Sequence, residues 1–403
     1  MGPAQEMMKD GYVVRRNADR EPPGRIGRRL LEHLELELTE RCNNACLHCC
    51  INRPANDASA EAQEMNTEGW RGVLQEAVSL GVLTVRFTGG EPLLRSDFAE
   101  LYLCARRLGL KVQLYTNGRL ITPELADLFA HYPPREQIEI TVYGMTPETY
   151  DAVACAPGAF EEFRRGVDLL LERGVPFLLK GALLPQNKHE IAAFAAWAAT
   201  VPWMDRPPVY AKFFDLRVRR DSEAKNRLIA RLRVTPEEGL AVMNGNPSEY
   251  RREMARFCSR FIGPHGDQLF TCGIGTGGCA DAYGKLQACG LLRTPEWVYD
   301  LNIGSLQDAL ENVFPKLNQL RASNPEYLAR CARCFLHGLC EQCPARSWIE
   351  NGSLDTPVEY QCQVAHAQAR YLGLLNDGER AWEVEDWQAR IGNLVAQESA
   401  EPG

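Results

Sequence analysis

The chain of 403 residues is 45% hydrophobic and 24% charged, enough to bury one large core and a smaller second one. Its net charge of −8, with acidic and basic residues interspersed, leaves no electrostatic footprint for nucleic acid. No run approaches the roughly 18 apolar residues needed to span a bilayer, and the polar start through Arg29 lacks the apolar core of a secretory signal. Fifteen cysteines without export argue for metal rather than disulfides. A cytoplasmic protein with neither membrane nor nucleic-acid partner is expected.

In chain order, residues 1–33 form a polar extension containing Pro22-Pro23-Gly24. Short apolar runs then alternate with helical periodicity, the pattern of βα units around a parallel sheet. Strands are expected near Leu34–Leu38, Leu83–Phe87, Lys111–Tyr115, Ile138–Val142, Pro176–Leu183 and Val209–Phe214. Helices are expected over Thr67–Leu80, Asp97–Leu108, Pro123–Ala130, Ala159–Arg173 and Lys188–Thr200. Six such units are too few to close an eight-stranded barrel, so residues 34–234 predict an α/β fold, an open, partial (βα)6 TIM-like barrel. A connecting helix over 235–257 follows, then a small Cys-rich α+β domain over 258–370 and a helical tail over 371–403. Inside the Cys-rich segment, Ala280 to Ala288 reads as a hairpin turning at Tyr283-Gly284.

Chemistry concentrates first at Cys42, Cys46 and Cys49, in Thr39-Glu40-Arg41-Cys42-Asn43-Asn44-Ala45-Cys46-Leu47-His48-Cys49. Three thiolates this close hold only part of a cubane cluster and leave one iron open to a ligand; a zinc site or plain buried thiols are the alternatives. The strand Leu83–Thr88 runs into Gly89-Gly90-Glu91-Pro92, where glycines permit close backbone approach to a ligand and Glu91 can accept from a cationic amine. Tyr115-Thr116-Asn117-Gly118 ends the next strand. In a parallel barrel all three loops fall on the rim at the C-terminal ends of strands, where ligands bind.

The cysteine spacing and the Gly-Gly-Glu-Pro segment together resemble the radical S-adenosylmethionine (SAM) superfamily. The resemblance implies that Cys42, Cys46 and Cys49 hold a [4Fe–4S] cluster and that SAM chelates its open iron. It places Gly89, Gly90, Glu91 and Pro92 at the SAM amino group, Thr116 and Asn117 near its methionine part, and Thr141 near its ribose or carboxylate. His48 takes the place of an aromatic side chain beside the adenine, and Cys50 replaces the tyrosine or phenylalanine often found after the third cysteine. Farther on, Cys272, Cys279 and Cys289 precede Cys331-x2-Cys334-x5-Cys340-x2-Cys343 and Cys362. Isolated CxxC pairs would favour zinc. The complete order, with Gly284 five residues before Cys289, resembles the SPASM extension of radical SAM enzymes, although the last spacing is x2 where x3 is frequent. This implies two auxiliary [4Fe–4S] clusters, one on Cys272, Cys279, Cys289 and Cys343, the other on Cys331, Cys334, Cys340 and Cys362, three clusters in all. Cys279 is the least secure ligand, its spacing varying among relatives. Eleven of the fifteen cysteines are thereby assigned, and Cys50, Cys104, Cys155 and Cys258 read as small buried hydrophobes.

The resemblance implies hydrogen abstraction from a peptide or protein substrate, with an oxidative thioether or carbon–carbon crosslink in a ribosomally made peptide as the leading outcome. Alternatives are a sulfatase-type maturase, a tetrapyrrole-modifying enzyme and, more distantly, a non-enzymatic iron–sulfur or zinc protein. Only 41 residues precede Cys42, so the expectation for a bound leader peptide is either a separate leader-peptide recognition protein or addition of the peptide to an exposed strand edge, together with an external electron donor of flavodoxin or ferredoxin type. Asp215, at the end of the sixth strand, is the candidate proton acceptor.

Overall fold

The computed structural model describes residues 33–212, 214–216, 223–243, 246–272, 274, 277–340 and 343–400. All of the polar extension except His33, and part of the expected sixth strand at residue 213, lie outside them. Two contact units emerge: one runs up to Ala211 and takes in Gly275–Gly290 and Pro295–Phe314, and the other comprises Lys212–Ile274, Leu291–Thr294 and Pro315–Gly403.

The first unit is built on a nine-stranded sheet. Strands β1 (His33–Thr39), β4 (Thr84–Gly89), β5 (Lys111–Thr116), β6 (Arg135–Val142), β7 (Phe177–Ala182) and β8 (Val209–Ala211) lie parallel and in sequence order. This is the partial barrel that the βα alternation predicts. Each strand alternates: Leu34, Leu36, Val85, Phe87, Val112, Leu114, Ile138 and Ile140 are fully buried. They share one face with the buried Trp70, Leu101, Phe129 and Phe163 of the helices, each such side chain contributing about 1.5–3 kcal/mol. Helix starts follow from capping: Asn66, Thr122 and Thr146 accept from the backbone N–H three residues on, and the last two precede Pro123 and Pro147. The helix Pro147–Ala154 was not expected from the sequence; it ends at Cys155 in a left-handed conformation (φ 48°).

Three further strands extend the sheet on the β1 side: β9 (Gly277–Ala280), β10 (Lys285–Gln287) and β11 (Tyr299–Asp300). The hairpin at Tyr283-Gly284 forms, with Gly284 at φ +76° and its N–H donating to Asp281 O. Its partner was not foreseen. β9 pairs parallel with β1, so this hairpin, placed by sequence within 258–370, is part of the barrel sheet.

In the second unit the expected single helix over 235–257 is two, Pro236–Met243 and Pro247–Phe261. Asn246 caps the second and Pro247, lacking an N–H, opens it, which breaks a continuous helix. The tail is no appendage: Leu372, Leu374, Leu375, Ala381, Ile391 and Leu394 share a core with Tyr250, Cys258, Phe335 and Ala365.

Candidate functional site

β1 ends at Thr39 and the chain turns at once into β2 (Arg41–Cys42), which pairs with β3 (Arg53–Pro54). The loop that carries the three cysteines is therefore tied at both ends. Within it, Ala45 N and Leu47 N donate to Ala154 O (2.9 Å) and Val153 O (3.1 Å), the orphan carbonyls at the end of the helix Pro147–Ala154. Cys49 N closes a turn onto Cys46 O at 3.2 Å. Beneath the loop, the buried Arg119 donates to Asn43 O and Asn44 Oδ1, both at 2.5 Å, and its Nε to Glu162 Oε2 at 2.8 Å. Sequence reasoning missed Arg119, and its only sequence signal is its position directly after Asn117-Gly118.

The structure gives the two glycines a reason in the fold. A Cβ on Gly90 would meet Arg41 O at 2.2 Å and Glu40 O at 2.6 Å, and one on Gly89 (φ +120°) would meet Thr39 O at 2.2 Å. The bare backbone lets Gly90 N donate to Thr39 O (2.7 Å) and Glu91 N to Arg41 O (2.9 Å). The glycines thus bring the end of β4 against the root of the cysteine loop, rather than simply leaving room for a ligand. Glu91, 0% exposed, turns inward: its carboxylate accepts from Leu93 N (3.1 Å), Thr116 Oγ1 (2.8 Å) and Asn117 N (2.8 Å). Three of the carboxylate's roughly four acceptor directions are thereby engaged within the chain. Burial pushes this carboxyl up to about 7 against those donors.

Asn117 joins the turn to the cysteines. Its Nδ2 donates to Asn43 Oδ1 at 2.7 Å and lies 3.8 Å from Cys42 Sγ, which also receives Asn44 N at 3.4 Å. Burial first, then the Glu91 carboxylate, pushes the Cys42 thiol far above its ordinary range; Asn44 N opposes this, and Cys46 and Cys49 add to it. A thiolate here calls for a cation, which a metal cluster supplies, and amide donors to a ligating sulfur are the contacts that tune such clusters. The three-cysteine loop fits the group. His48 lies beside Tyr143, ring centroids 5.8 Å apart, and Thr141 sits half-buried on β6 opposite Lys180.

The other face of the sheet is polar. Arg86 donates to Glu35 Oε2 (2.6 Å) and Gln113 Oε1 (2.7 Å), Gln113 donates to Glu139 Oε1 (2.6 Å), and Lys180 pairs with Glu139. Arg86 and Lys180 both lie over the Tyr115 ring, 4.7 Å from its centroid. This belt crosses β1, β4, β5, β6 and β7. Asp215 is not part of it: β8 ends at Ala211, and Asp215 accepts from Arg346 Nε at 2.8 Å, so its carboxylate is held in an ion pair.

In the second unit Cys331, Cys334, Cys340 and Cys362 line one cavity of about 740 Å³, together with Cys272 and Cys343. Burial raises the Cys331 and Cys334 thiols to about 12, with Cys362 close enough to add to both. Arg330, stacked on Trp382, reaches within 3.8 Å of Cys362 Sγ, and His366 Nδ1 lies 3.5 Å from it. Four thiols lining one cavity, with donors at Cys362, are a donor set whose chemistry fits a cluster of the same kind. Cys343 caps the helix Pro344–Asn351, a position that favours thiolate. Of the four unassigned cysteines, Cys258 is buried in the core, Cys50 and Cys104 are half-buried and Cys155 is exposed, so the reading of small buried hydrophobes holds for Cys258 alone.

Residues 36–198 match the Radical SAM superfamily. The chain is 28% identical over 335 residues to the AdoMet-dependent heme synthase of Methanosarcina barkeri, covering 78% of this chain and 92% of that one. It is 34% identical over 163 residues to the PqqA peptide cyclase of Xanthomonas axonopodis pv. citri, covering 40% and 43%. In fold it is similar to Streptococcus suis SuiB bound to S-adenosylmethionine (TM-score 0.62, 16% identity, 83% of this chain and 78% of that one). It is also similar to anSMEcpe with bound AdoMet (TM-score 0.57, 16% identity, 91% and 99%). No described helix is long and apolar enough to cross a membrane. With the cysteine loop, the Gly89–Pro92 turn and the parallel sheet in place, residues 36–198 form a radical SAM domain, which implies a [4Fe–4S] cluster and S-adenosylmethionine.

Proposed function

We propose that the chain is a three-cluster radical SAM/SPASM oxidoreductase that removes hydrogen from a ribosomally made peptide and closes a thioether or carbon–carbon crosslink. When bound, the cluster and SAM supply a 5′-deoxyadenosyl radical. Glu91, Thr116, Asn117 and Arg119 fix the loop and the strand ends on which both would sit. Crosslinking removes two hydrogens from the substrate: one leaves as a hydrogen atom to the adenosyl carbon, the other as a proton, and the surplus electron leaves through an iron–sulfur cluster. SuiB bound to its precursor peptide SuiA shares this fold, with a TM-score of 0.58.

The charge of the inner face carries the choice of substrate. A tetrapyrrole, the second reading, is favoured by the heme synthase likeness over most of both chains. It brings several carboxylates and needs cations to meet them. Here Arg86 is engaged by Glu35 and Lys180 by Glu139, and with Glu37 the carboxylates outnumber the two cations. Such a face suits the amide groups and cationic side chains of a peptide. The test is anaerobic incubation of the reconstituted chain, SAM and reductant with a panel of candidate precursor peptides. The expected product is lighter by two hydrogens. A chain that binds and modifies a tetrapyrrole, and leaves every peptide unchanged, would sink the reading. A leader-recognition protein, if used, is recovered by pull-down with the enzyme.

A further inference from the structure

Of the cysteines expected to bind iron, Cys279 does not fit. It lies on β9 between two partners, opposite Glu35 on β1 and Gln287 on β10, so the ladder holds its backbone on both sides. Side chains alternate along a strand, and Cys279 falls on the inner polar face with Glu35. Its Sγ lies 3.6 Å from Glu35 Oε1, and it is 1% exposed. A second carboxylate, that of Glu37, completes a group whose ligand atoms all lie within 4.8 Å of one another. The backbone at Gly290 closes the other side, where a Cβ would come within 3.6 Å of the sulfur. Glu35 is itself paired with Arg86 at 2.6 Å, so an added cation here would meet a carboxylate that is already neutralised.

An iron–sulfur ligand is a thiolate aimed at an electron-poor metal. The neighbours of this sulfur are carboxylate oxygens, which suit an S–H donor instead. Cys289 differs: it lies beyond Gln287, the last residue of β10, where no ladder fixes its direction.

Resting on the three-cluster reading, we infer that Cys279 is not a cluster ligand but a thiol of the barrel's inner face that donates to Glu35. Cys279 then opens the belt that continues through Glu35, Arg86, Gln113 and Glu139 to Lys180. Its role is to orient Glu35 on the substrate-facing surface.

The test compares anaerobically reconstituted full-length variants. C279S is expected to keep the wild-type iron, about twelve per chain, whereas C289A loses about a third, by the four-iron stoichiometry of each cluster. The infrared difference spectrum of wild type minus C279S should show an S–H stretching band, and E35Q should shift that band while leaving the iron unchanged. Loss of a third of the iron from C279S, or no S–H band assignable to Cys279, would overturn the inference. Retention of all iron in C289A would instead overturn the three-cluster reading, and the band would still report on Cys279.

Discussion

Adding one methyl group at Gly90 and the same group at Gly72 should move stability in opposite directions. At Gly90 the new Cβ meets two backbone oxygens, at 2.2 and 2.6 Å, and the Arg41 carbonyl carbon at 2.7 Å. No side chain can rotate away, so β4 or the root of the cysteine loop must move. Overpacking of this kind costs about 1–3 kcal/mol. The movement also strains the Glu91 N to Arg41 O bond, and a buried pair left apart costs about another 1–3 kcal/mol. Gly90→Ala is therefore expected to destabilise the barrel by about 2–6 kcal/mol, a large share of the roughly 5–15 kcal/mol typical of a domain. Gly72 lies exposed in the helix Thr67–Ser79 with nothing within 4 Å of an added Cβ, so Gly72→Ala should gain about 0.5–1 kcal/mol from helix propensity. Hydrogen-exchange protection of β1 and β4 amides is the suitable assay, because a chain of two units need not unfold in one step. If Gly90→Ala stays within about 1 kcal/mol of wild type, the glycines are not there for backbone approach, and the account of how the loop is positioned fails.

Two further outcomes follow from the site. Asn117→Ala removes the donor to Asn43 Oδ1 and Cys42 Sγ and the acceptor for Arg119 N, and loss of such supporting contacts typically costs about 10–100-fold in metal affinity or activity. SAM cleavage and iron retention against a chelator should both fall, and wild-type values for both would show the contacts to be idle. His337, in the cysteine-lined cavity, is pushed down to about 4 by burial and then by the stacked His265. The folded state thus binds this proton less readily than the unfolded state, whose value is about 6.5. The stability so conferred is full above about pH 6.5 and is lost as pH falls toward 4, by up to about 3 kcal/mol. Denaturant melts across that window should be flatter in His337→Gln, and an unchanged slope would reject the assignment.

The barrel was legible because its strands carry two signals at once. Leu34, Leu36, Val85, Phe87, Val112 and Leu114 mark the buried face at period two, and helical periodicity fills the intervals. The residues between them, Glu35, Arg86, Gln113 and Glu139, were equally visible. What the sequence could not convey is that they bond to one another across strands, since that depends on register between segments tens of residues apart. The destination of the Tyr283-Gly284 hairpin was hidden for the same reason: Cys279 and Glu35 are separated by more than half the chain, and no local pattern encodes a parallel pairing at that distance. Gly89 and Gly90 stood out in the sequence as positions where the backbone could approach a ligand, and in the structure the atoms that an added Cβ would meet belong to the protein. Arg119 had no signal beyond its neighbours, because a buried arginine is recognised by its partners, Glu162, Asn43 and Asn44, and these lie far away in sequence. Asp215 failed for the converse reason. A rim position was read from an assumed strand length, whereas the strand stops at Ala211 and Arg346 holds the carboxylate.

The two cysteine-bearing regions reach their geometry by different physical routes. At the rim, three strand ends meet: backbone bonds join Thr39 to Arg41 with Gly89 to Glu91, and the buried Glu91 carboxylate accepts from Thr116 and Asn117. Every contact cited in that junction is made by the chain itself. The second unit has an apolar core of its own, in which Cys258, Phe335, Ala369 and Leu394 pack among three helices, but Cys331, Cys334, Cys340 and Cys362 face a cavity instead. Burial raises the Cys331, Cys334 and Cys362 thiols; the Arg330 charge opposes this at all three, and His366 stands beside Cys362. Under the proposed function a cluster held there would link those four cysteines, so that metal binding adds to the stability of this unit. The cysteine loop at the rim is therefore framed by the chain's own hydrogen bonds, whereas the four cysteines of the second unit are arranged around a cavity.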